Sequence, residues 1–244
     1  MAVGSGLEAA EFDLAVTPLR DLNAALHGIE KDLASAHGLA AGVPRHWRVL
    51  NPRGAHALAV GIDAPIEVEI EGHAGYYCAG MNKEATVRVH GNVGVGCAEN
   101  IMSGKVIVDG NASQSAGATG RGGLLVIRGS ASARCGISMK GVDIVVQGSV
   151  GHMSGFLAQK GTLAICGDAG EALGDSIYEA HVYVRGQVAD LGADCIEKEM
   201  RDEHVQELSA LLERAEVDAA VEDFRRYGSA RKLYNFDVDN AGAY

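Results

Sequence analysis

The sequence has few of the features that mark the commoner classes of protein. Its 244 residues include only 4 prolines and 1 tryptophan, and aromatic residues make up 5%. No apolar run approaches the ~18–20 residues of a membrane-spanning helix. Basic residues number 21 against 32 acidic ones, a formal charge of −11. Such a surface repels phosphate backbones and anionic lipid, so we expect neither nucleic acid nor a membrane as a partner.

Cysteine is also scarce and has no pattern that suggests cross-links. The 5 cysteines are an odd number without C-x-x-C spacing, which argues against a disulfide framework and a zinc site. Residues 1–14 lack the basic stretch and apolar block of a secretory signal. Both observations predict a cytoplasmic protein.

What the sequence does have is a repeat built on glycine. Branched aliphatic residues stand four and two positions before each repeated glycine, alanine or valine two positions after it, and a polar residue directly after it. This alternation is strand periodicity with one face inward. The glycines follow one another at intervals of nineteen residues without an insertion: Gly72, Gly91, Gly110, Gly129, Gly148, Gly167 and Gly186.

A nineteen-residue unit fits one coil of a parallel β-helix. Leucine-rich and helical repeats need longer units with other spacings. Stacked coils tolerate no insertion, because a slip of one residue would turn the valines outward. Cys78, Cys97 and Cys135 share one position of the unit, and we interpret them as small residues stacked in the core. The sequence therefore predicts a mainly β protein with about seven coils, ~4.8 Å apart.

The segments before the repeat predict a helix and two short strands. Thr17 can cap a helix that has Pro18 as its first residue, and the apolar stripe continues to Leu33, with Gly38 as a stop. The stripe would lie on the repeat array or on a partner subunit. Residues 46–50 and 56–60 predict strands that, with Trp47, close the first open face of the array.

The segments after the repeat predict helices and a tail. Apolar residues at helical spacing predict one or two helices that cap the far end of the array. The tail carries Tyr234 and Phe236 and would lie on a partner or on its own subunit. We therefore divide the chain into a lead-in and helix (1–41), a β-helix (42–197), capping helices (198–227) and a tail (228–244).

Candidate chemistry is sparse. Glycine clusters at 90–96 and 117–123 imitate phosphate-binding loops, but neither opens a helix within a βαβ unit, and the repeat explains both. Acid–base residues concentrate only around Asp175, Ser176, Tyr178 and Glu179. Since no histidine is placed as a base for Ser176, we assign no catalytic, cofactor or metal residue. We interpret this patch as partner-facing or channel-lining, with a self-sufficient β-helix enzyme using the 175–179 patch as the alternative.

Residues 91–123, 167–186 and 191–200 resemble the glycine-repeat domain that ends the large subunit of glutamate synthase. The resemblance implies a right-handed parallel β-helix of seven coils without catalytic residues of its own. It further implies that the β-helix braces a glutamine amidotransferase against a flavin-bearing synthase barrel. A related glycine-repeat domain serves in formyltransferase/hydrolase complexes.

The two ends, 12–30 and 227–244, are similar to those of the free-standing middle subunits of N-methylglutamate synthases. The resemblance implies a hetero-oligomeric methyltransferase complex of one-carbon metabolism that converts methylamine and L-glutamate to N-methyl-L-glutamate and ammonia. An amidotransferase-like subunit and an FMN-dependent synthase-like subunit would be the partners. FMN and an iron–sulfur cluster would belong to a partner, since this chain lacks the cysteine spacing for a cluster. A subunit of a true glutamate synthase or of a formyltransferase/hydrolase-type complex, and a homo-oligomer with stacked ends, are the alternatives.

Overall fold

The glycine repeat folds into a parallel β-helix in which each coil contributes a strand to one continuous row. The computed structural model describes residues 9–29, 38–40 and 42–231. The strands are β1 (Ala9–Asp13), β2 (His46–Leu50), β3 (Glu67–Ile70), β4 (Thr86–Val89), β5 (Lys105–Val108), β6 (Leu124–Ile127), β7 (Lys140–Val146), β8 (Lys160–Ile165), β9 (His181–Val184), β10 (Cys195–Lys198) and β11 (Arg225–Ser229). The helices are α1 (Leu19–His27), α2 (Asp202–Arg214) and a 3₁₀ turn, Val221–Asp223.

The row of strands confirms the predicted fold class. Its order is β1-β2-β3-β4-β5-β6-β7-β8-β9-β11-β10, and β1 to β9 all pair in parallel. From β3 to β9 paired residues are nineteen positions apart, as Val68 and Val87 are, except that Lys140 pairs with Lys160 across a register shift in β7. None of the described helices is long and apolar enough to cross a membrane.

The aliphatic positions of the repeat line the interior of the coils. Val68 and Ile70 of β3 are 1% and 0% exposed, and their counterparts along the row are buried alike. Each buried side chain of this size contributes about 1.5–3 kcal/mol of transfer free energy. Cys78, Cys97 and Cys135 are free and fully buried within the same core. Burial raises the pKa of the Cys78 and Cys135 thiols to about 12, as the core interpretation of these residues requires.

The repeated glycines are required by the close approach of neighbouring coils. A Cβ atom built on Gly129 would lie 2.7 Å from the carbonyl oxygen of Gly110 and 2.4 Å from Oδ1 of Asn111. The backbone N–H of Gly129 donates to that same carbonyl at 2.9 Å. Most of the repeated glycines do not have a left-handed backbone, Gly72 being the exception with φ 133°. Glycine stands in this column because only a hydrogen atom fits between two coils.

Left-handed residues make the corner of each coil. Tyr77, Ala79 and Met81 have φ of 59°, 53° and 55°, and the equivalent residues of later coils repeat these values. The predicted strand at 56–60 was wrong for this reason: Ala57 and Ala59 have φ of 56° and 54° and form the corner of the first coil. The apolar alternation that suggested a strand also arises in a corner, where alternate residues point inward.

The amino-terminal segment extends the row instead of forming a loose lead-in. Residues of β1 pair in parallel with β2, and Phe12 stacks on Trp47 with ring centroids 5.7 Å apart. Helix α1 begins one residue later than predicted: Pro18 is its N-cap and no side chain caps it. The helix ends at His27 with Gly28 as its C-cap, so the predicted continuation towards Leu33 and the stop at Gly38 were wrong; residues 30–33 lie outside the described residues.

Helix α1 lies on the corner of the first coil. Its Leu22 and Leu26 are buried in the main core. The Asn23 side chain donates to the carbonyl oxygen of Ala57 at 2.7 Å and accepts from the backbone N–H of Ala59 at 3.2 Å. These contacts satisfy two backbone groups of the corner. The apolar stripe therefore packs on the chain's own array.

Helix α2 covers a flank of the β-helix, so the prediction that helices cap its far end was wrong. Leu208, Leu211 and Leu212 of α2 pack on outward-facing side chains of β5 to β9, which form a second apolar cluster. The predicted second helix is a 3₁₀ turn between loops, and Phe224 joins the same cluster. Strand β11 then inserts between β9 and β10, antiparallel to both, and completes the far end of the row.

Candidate functional site

The 175–179 patch divides into two parts with different surroundings. Ser176 Oγ donates to Asp175 Oδ1 at 2.7 Å, and Asp175 Oδ2 accepts from the backbone N–H of Ala193 at 3.3 Å. This half of the patch ties one corner to the next. Tyr178 and Glu179 instead line a surface cleft. The predicted partner-facing role of these four residues remains a prediction, while Tyr234 and Phe236 lie outside the described residues.

The cleft is built where the end of the coil array meets the inserted strand β11. We call it the β11 cleft; its volume is about 250 Å³. Its rim on the array side comes from the loop before β9, and its opposite side from β10 and β11. The lining residues are Tyr178, Glu179, Ala180, His181, Lys198, Arg226, Gly228, Ser229 and Arg231.

Three cationic side chains line the β11 cleft. Arg226 and Lys198 are direct partners in the β10–β11 register, so their side chains lie on the same side of the sheet. Arg226 Nη1 donates to the carbonyl oxygen of Glu199 at 2.9 Å, and Arg231 pairs with Asp194. Arg226 Nε is buried without a hydrogen-bond partner, and the Lys198 ammonium has none among the described residues.

A carboxylate of α2 organises the wall behind the cleft. Glu207 accepts from Tyr183 Oη at 2.6 Å and from Thr162 Oγ1 at 3.1 Å, and it pairs with Nδ1 of His181 at 2.7 Å. The His204 ring lies edge-on to that of His181, with centroids 5.4 Å apart. These bonds join α2 to β8 and β9 and fix the orientation of the His181 ring.

The protonation of this group follows from its contacts. Burial alone would raise the pKa of Glu207, but hydrogen bonds from His181 and Tyr183 outweigh it and lower that pKa to about 2. Burial, and then the same carboxylate, raises the pKa of Tyr183. Burial, together with the positive Arg226, lowers the pKa of His204. Glu207 is therefore an anion at neutral pH, and Tyr183 donates to it as a neutral hydroxyl.

A second cleft adjoins the first and shares Glu179 and His181 with it. Its volume is about 350 Å³, and it lies beside the starts of β7 and β8. Three carboxylates and one lysine line it, so the two clefts differ in charge. The remaining lining residues are Gly141, Asp143, Lys160, Gly161, Thr162 and Glu207.

Among the described residues, carboxylates and an imidazole approach one another closely on the opposite half of the row. Ligand atoms of Glu69, Glu71 and His90 lie within 4.8 Å of one another. The Glu71 carboxylate accepts from Arg48 Nε at 2.8 Å, and His90 Nδ1 pairs with Asp109 at 2.9 Å. These exposed groups belong to a lattice of ion pairs across β2 to β5, and we assign no metal to them.

Sequence reasoning missed the β11 cleft, although part of the signal was present. One outward-facing position of the repeat runs in register through Glu69, Arg88, Ile107, Val126, Val145, Ala164 and Tyr183. Its change from charged to apolar marks where α2 covers the sheet. Beyond the repeat, Arg226 pairs with Tyr183 and Lys198 pairs with Arg226, so both extend this row of outward-facing residues. They do so only because β11 is inserted beside β9.

Comparison with known proteins gives one sequence relative and one shared fold. No protein-family profile matches the sequence. Protein GlxC of Rhizobium meliloti (strain 1021) is 69% identical over 74 residues, 30% of this chain. The matched stretch spans 32% of that relative's length.

A chain in the crystal structure of the formyltransferase/hydrolase complex (FhcABCD) from Methylorubrum extorquens, in complex with methylofuran, has a similar structure. The TM-score is 0.50 at 19% identity, with 86% of this chain and 89% of that chain covered. This likeness shows a shared fold. The chain is a parallel β-helix protein, similar to protein GlxC over part of its length.

Proposed function

We propose that this chain is a non-catalytic scaffold subunit of a glutamate-synthase-like complex, and specifically of an N-methylglutamate synthase. The observation that carries the proposal is the use of the repeat residues. The repeated glycines allow neighbouring coils to approach closely, and the polar residues that follow them form hydrogen bonds from one coil to the next. The residues that recur most often in the sequence therefore build a rod, which suits a brace between other subunits.

The partners in this proposal are an amidotransferase-like subunit and an FMN-dependent synthase-like subunit in the cytoplasm. The complex converts methylamine and L-glutamate to N-methyl-L-glutamate and ammonia. FMN and an iron–sulfur cluster belong to a partner subunit. The resemblance of residues 91–123 and 167–186 to the glutamate synthase domain supports this choice, and so does the resemblance of both chain ends to the free-standing subunits.

Co-expression tests the proposal. The tagged chain is produced together with an amidotransferase-like and a flavin synthase-like subunit, and N-methylglutamate is measured by mass spectrometry after methylamine and L-glutamate are added. We expect the three chains to co-purify, and the isolated chain to be colourless and inactive. A tagged chain that captures neither subunit would remove the proposal.

A formyltransferase/hydrolase-type complex is the second candidate, favoured by the structural likeness to a chain of FhcABCD over 86% of this chain. The same capture experiment with formyltransferase-type subunits separates the two. A self-sufficient enzyme has weaker support, because Ser176 donates to Asp175 and Asp175 accepts from the backbone of Ala193, so both side chains hold neighbouring corners together. Turnover by the isolated chain that disappears in Asp175→Asn would restore that alternative.

A further inference from the structure

We propose that the β11 cleft binds a small amino acid dicarboxylate, L-glutamate, with its carboxylates on Lys198 and Arg226 and its ammonium group on Glu179. The arrangement of charged side chains in the cleft indicates this class of ligand. The choice of glutamate among dicarboxylic amino acids rests on the function proposed above.

The first step of the argument is the unused hydrogen-bonding capacity of the two cations. Arg226 Nε is buried and makes no hydrogen bond, a condition that costs free energy unless a partner is supplied. The Lys198 ammonium has no partner among the described residues, and its aliphatic stem lies over Gly228, which lines the same cavity. Both groups line one cavity, and a carboxylate is the anion that a guanidinium and an ammonium hold together.

The second step is the contrast between this cleft and the rest of the molecule. The chain carries a net charge of −11, yet three of the residues that line the β11 cleft are lysine or arginine. Asp194 already balances Arg231, which leaves Lys198 and Arg226 as the charges available to a ligand. A local positive site on an acidic surface draws a small anion and is poorly suited to a large polyanion, which the remaining surface repels.

The third step is the single acidic group in the lining. Glu179 is half-buried, and its carboxylate has no hydrogen-bond or ion-pair partner among the described residues. Its negative charge opposes a simple anion but complements an ammonium group. The Tyr178 and Ser229 side chains add hydroxyl groups at the same cavity. Two cations and one anion within about 250 Å³ match the charges of a zwitterionic dicarboxylate.

Titration calorimetry of the full chain tests the proposal with three probes: L-glutamate, glutarate and inorganic phosphate. Glutarate lacks only the amino group, and phosphate reports a general anion site. We expect L-glutamate to bind more tightly than glutarate, and phosphate to bind more weakly than either. Lys198→Gln retains the side-chain stem, removes the charge, and is expected to weaken L-glutamate binding by about tenfold or more.

Two further variants sharpen the result. Glu179→Gln is expected to weaken L-glutamate and strengthen glutarate, which reverses the preference for the amino group. Lys140→Ala is the matched control, since Lys140 is an exposed lysine at the start of β7 that lines neither cleft. This variant is expected to bind L-glutamate as tightly as the unmodified chain does.

Several results would overturn the proposal. They are the absence of binding by L-glutamate, equal effects of Lys198→Gln and Lys140→Ala, and phosphate binding as tight as that of L-glutamate. These measurements need no partner subunit. A chain that binds L-glutamate but captures no synthase subunit would contradict the proposed function alone, and a chain that assembles but does not bind L-glutamate would contradict this inference alone.

Discussion

The side-chain Oδ1 of Asn92 accepts a hydrogen bond of 2.8 Å from the backbone N–H of Asn111, its counterpart one coil further on. This relationship explains why a polar residue follows every repeated glycine. The same bond is formed at each step of the array by the side chains of His73, Asn92, Asn111, Ser130, Ser149 and Asp168. A column of side-chain acceptors thus binds each coil to the next.

Asn92→Ala is expected to lower the free energy of unfolding by about 1 kcal/mol, because the N–H of Asn111 loses its acceptor. Asn92→Ser retains an acceptor of the kind that Ser130 supplies in the same column, and it is the control. Urea denaturation measures both. If the serine variant loses as much stability as the alanine variant, the acceptor is not the cause.

Gly129→Ala is expected to destabilise the protein by at least about 2 kcal/mol, since the new methyl group would lie 2.7 Å from the carbonyl oxygen of Gly110. The matched control is Gly228→Ala, whose methyl group would meet nothing closer than 3.7 Å and whose φ is not left-handed. Thermal unfolding compares the two variants. Equal losses would show that the requirement for glycine is not steric.

Leu208→Ala is expected to cost about 2–5 kcal/mol, because its side chain is fully buried between α2 and the outer face of the sheet. Val205 lies on the same helix and is 40% exposed, so Val205→Ala is expected to be nearly neutral. Hydrogen exchange of the α2 amides shows whether the helix loosens from the flank. Equal protection in both variants would contradict this packing.

The Glu207 carboxylate is expected to stabilise the fold at neutral pH and to lose that effect in acid. Its pKa is about 2 in the folded chain against an ordinary value of 4.5, so the unfolded chain binds more protons between these values. The contribution is complete above about pH 4.5 and declines as the pH falls towards 2. It is modest, because the side chain is 37% exposed.

Glu207→Gln provides the comparison for that pH dependence. The variant is expected to be less stable than the unmodified chain at pH 7, and the difference is expected to shrink as the pH is lowered from 4.5. Denaturation with urea at a series of pH values measures the difference. A difference that stays constant down to pH 2.5 would show that the charge of Glu207 does not contribute.

The coil array could be predicted from the sequence because its cause is local to each repeat. Val68 pairs with Val87, its equivalent one repeat later, and the following coils repeat this pairing. The corner at Ala57 was mispredicted, since a corner in left-handed conformation and a strand can share an apolar alternation. The predicted cap at Thr17 was also wrong, because Pro18 is the N-cap of α1 and no side chain caps the helix. Once the repeat ends, this periodic information ends with it.

The β11 cleft could not be predicted for a different reason. Arg226 reaches Tyr183 only because the chain leaves the row after β10, crosses the flank through α2, and returns as β11. No spacing in the sequence records such a return. The outward residues of the repeat carried a partial signal: the change from Arg88 to Ile107 marks the edge of the surface that α2 covers.

The insertion of β11 between β9 and β10 also limits how copies of this chain can associate. A parallel coil array could in principle continue from one molecule into the next, because each coil end presents unpaired backbone groups. At this end a second array would instead meet β10, which is four residues long, is separated from the last coil by the antiparallel β11, and carries Glu197 and Lys198. A short edge strand with charged side chains disfavours coil-on-coil addition at this end, so filament growth is not expected to start there.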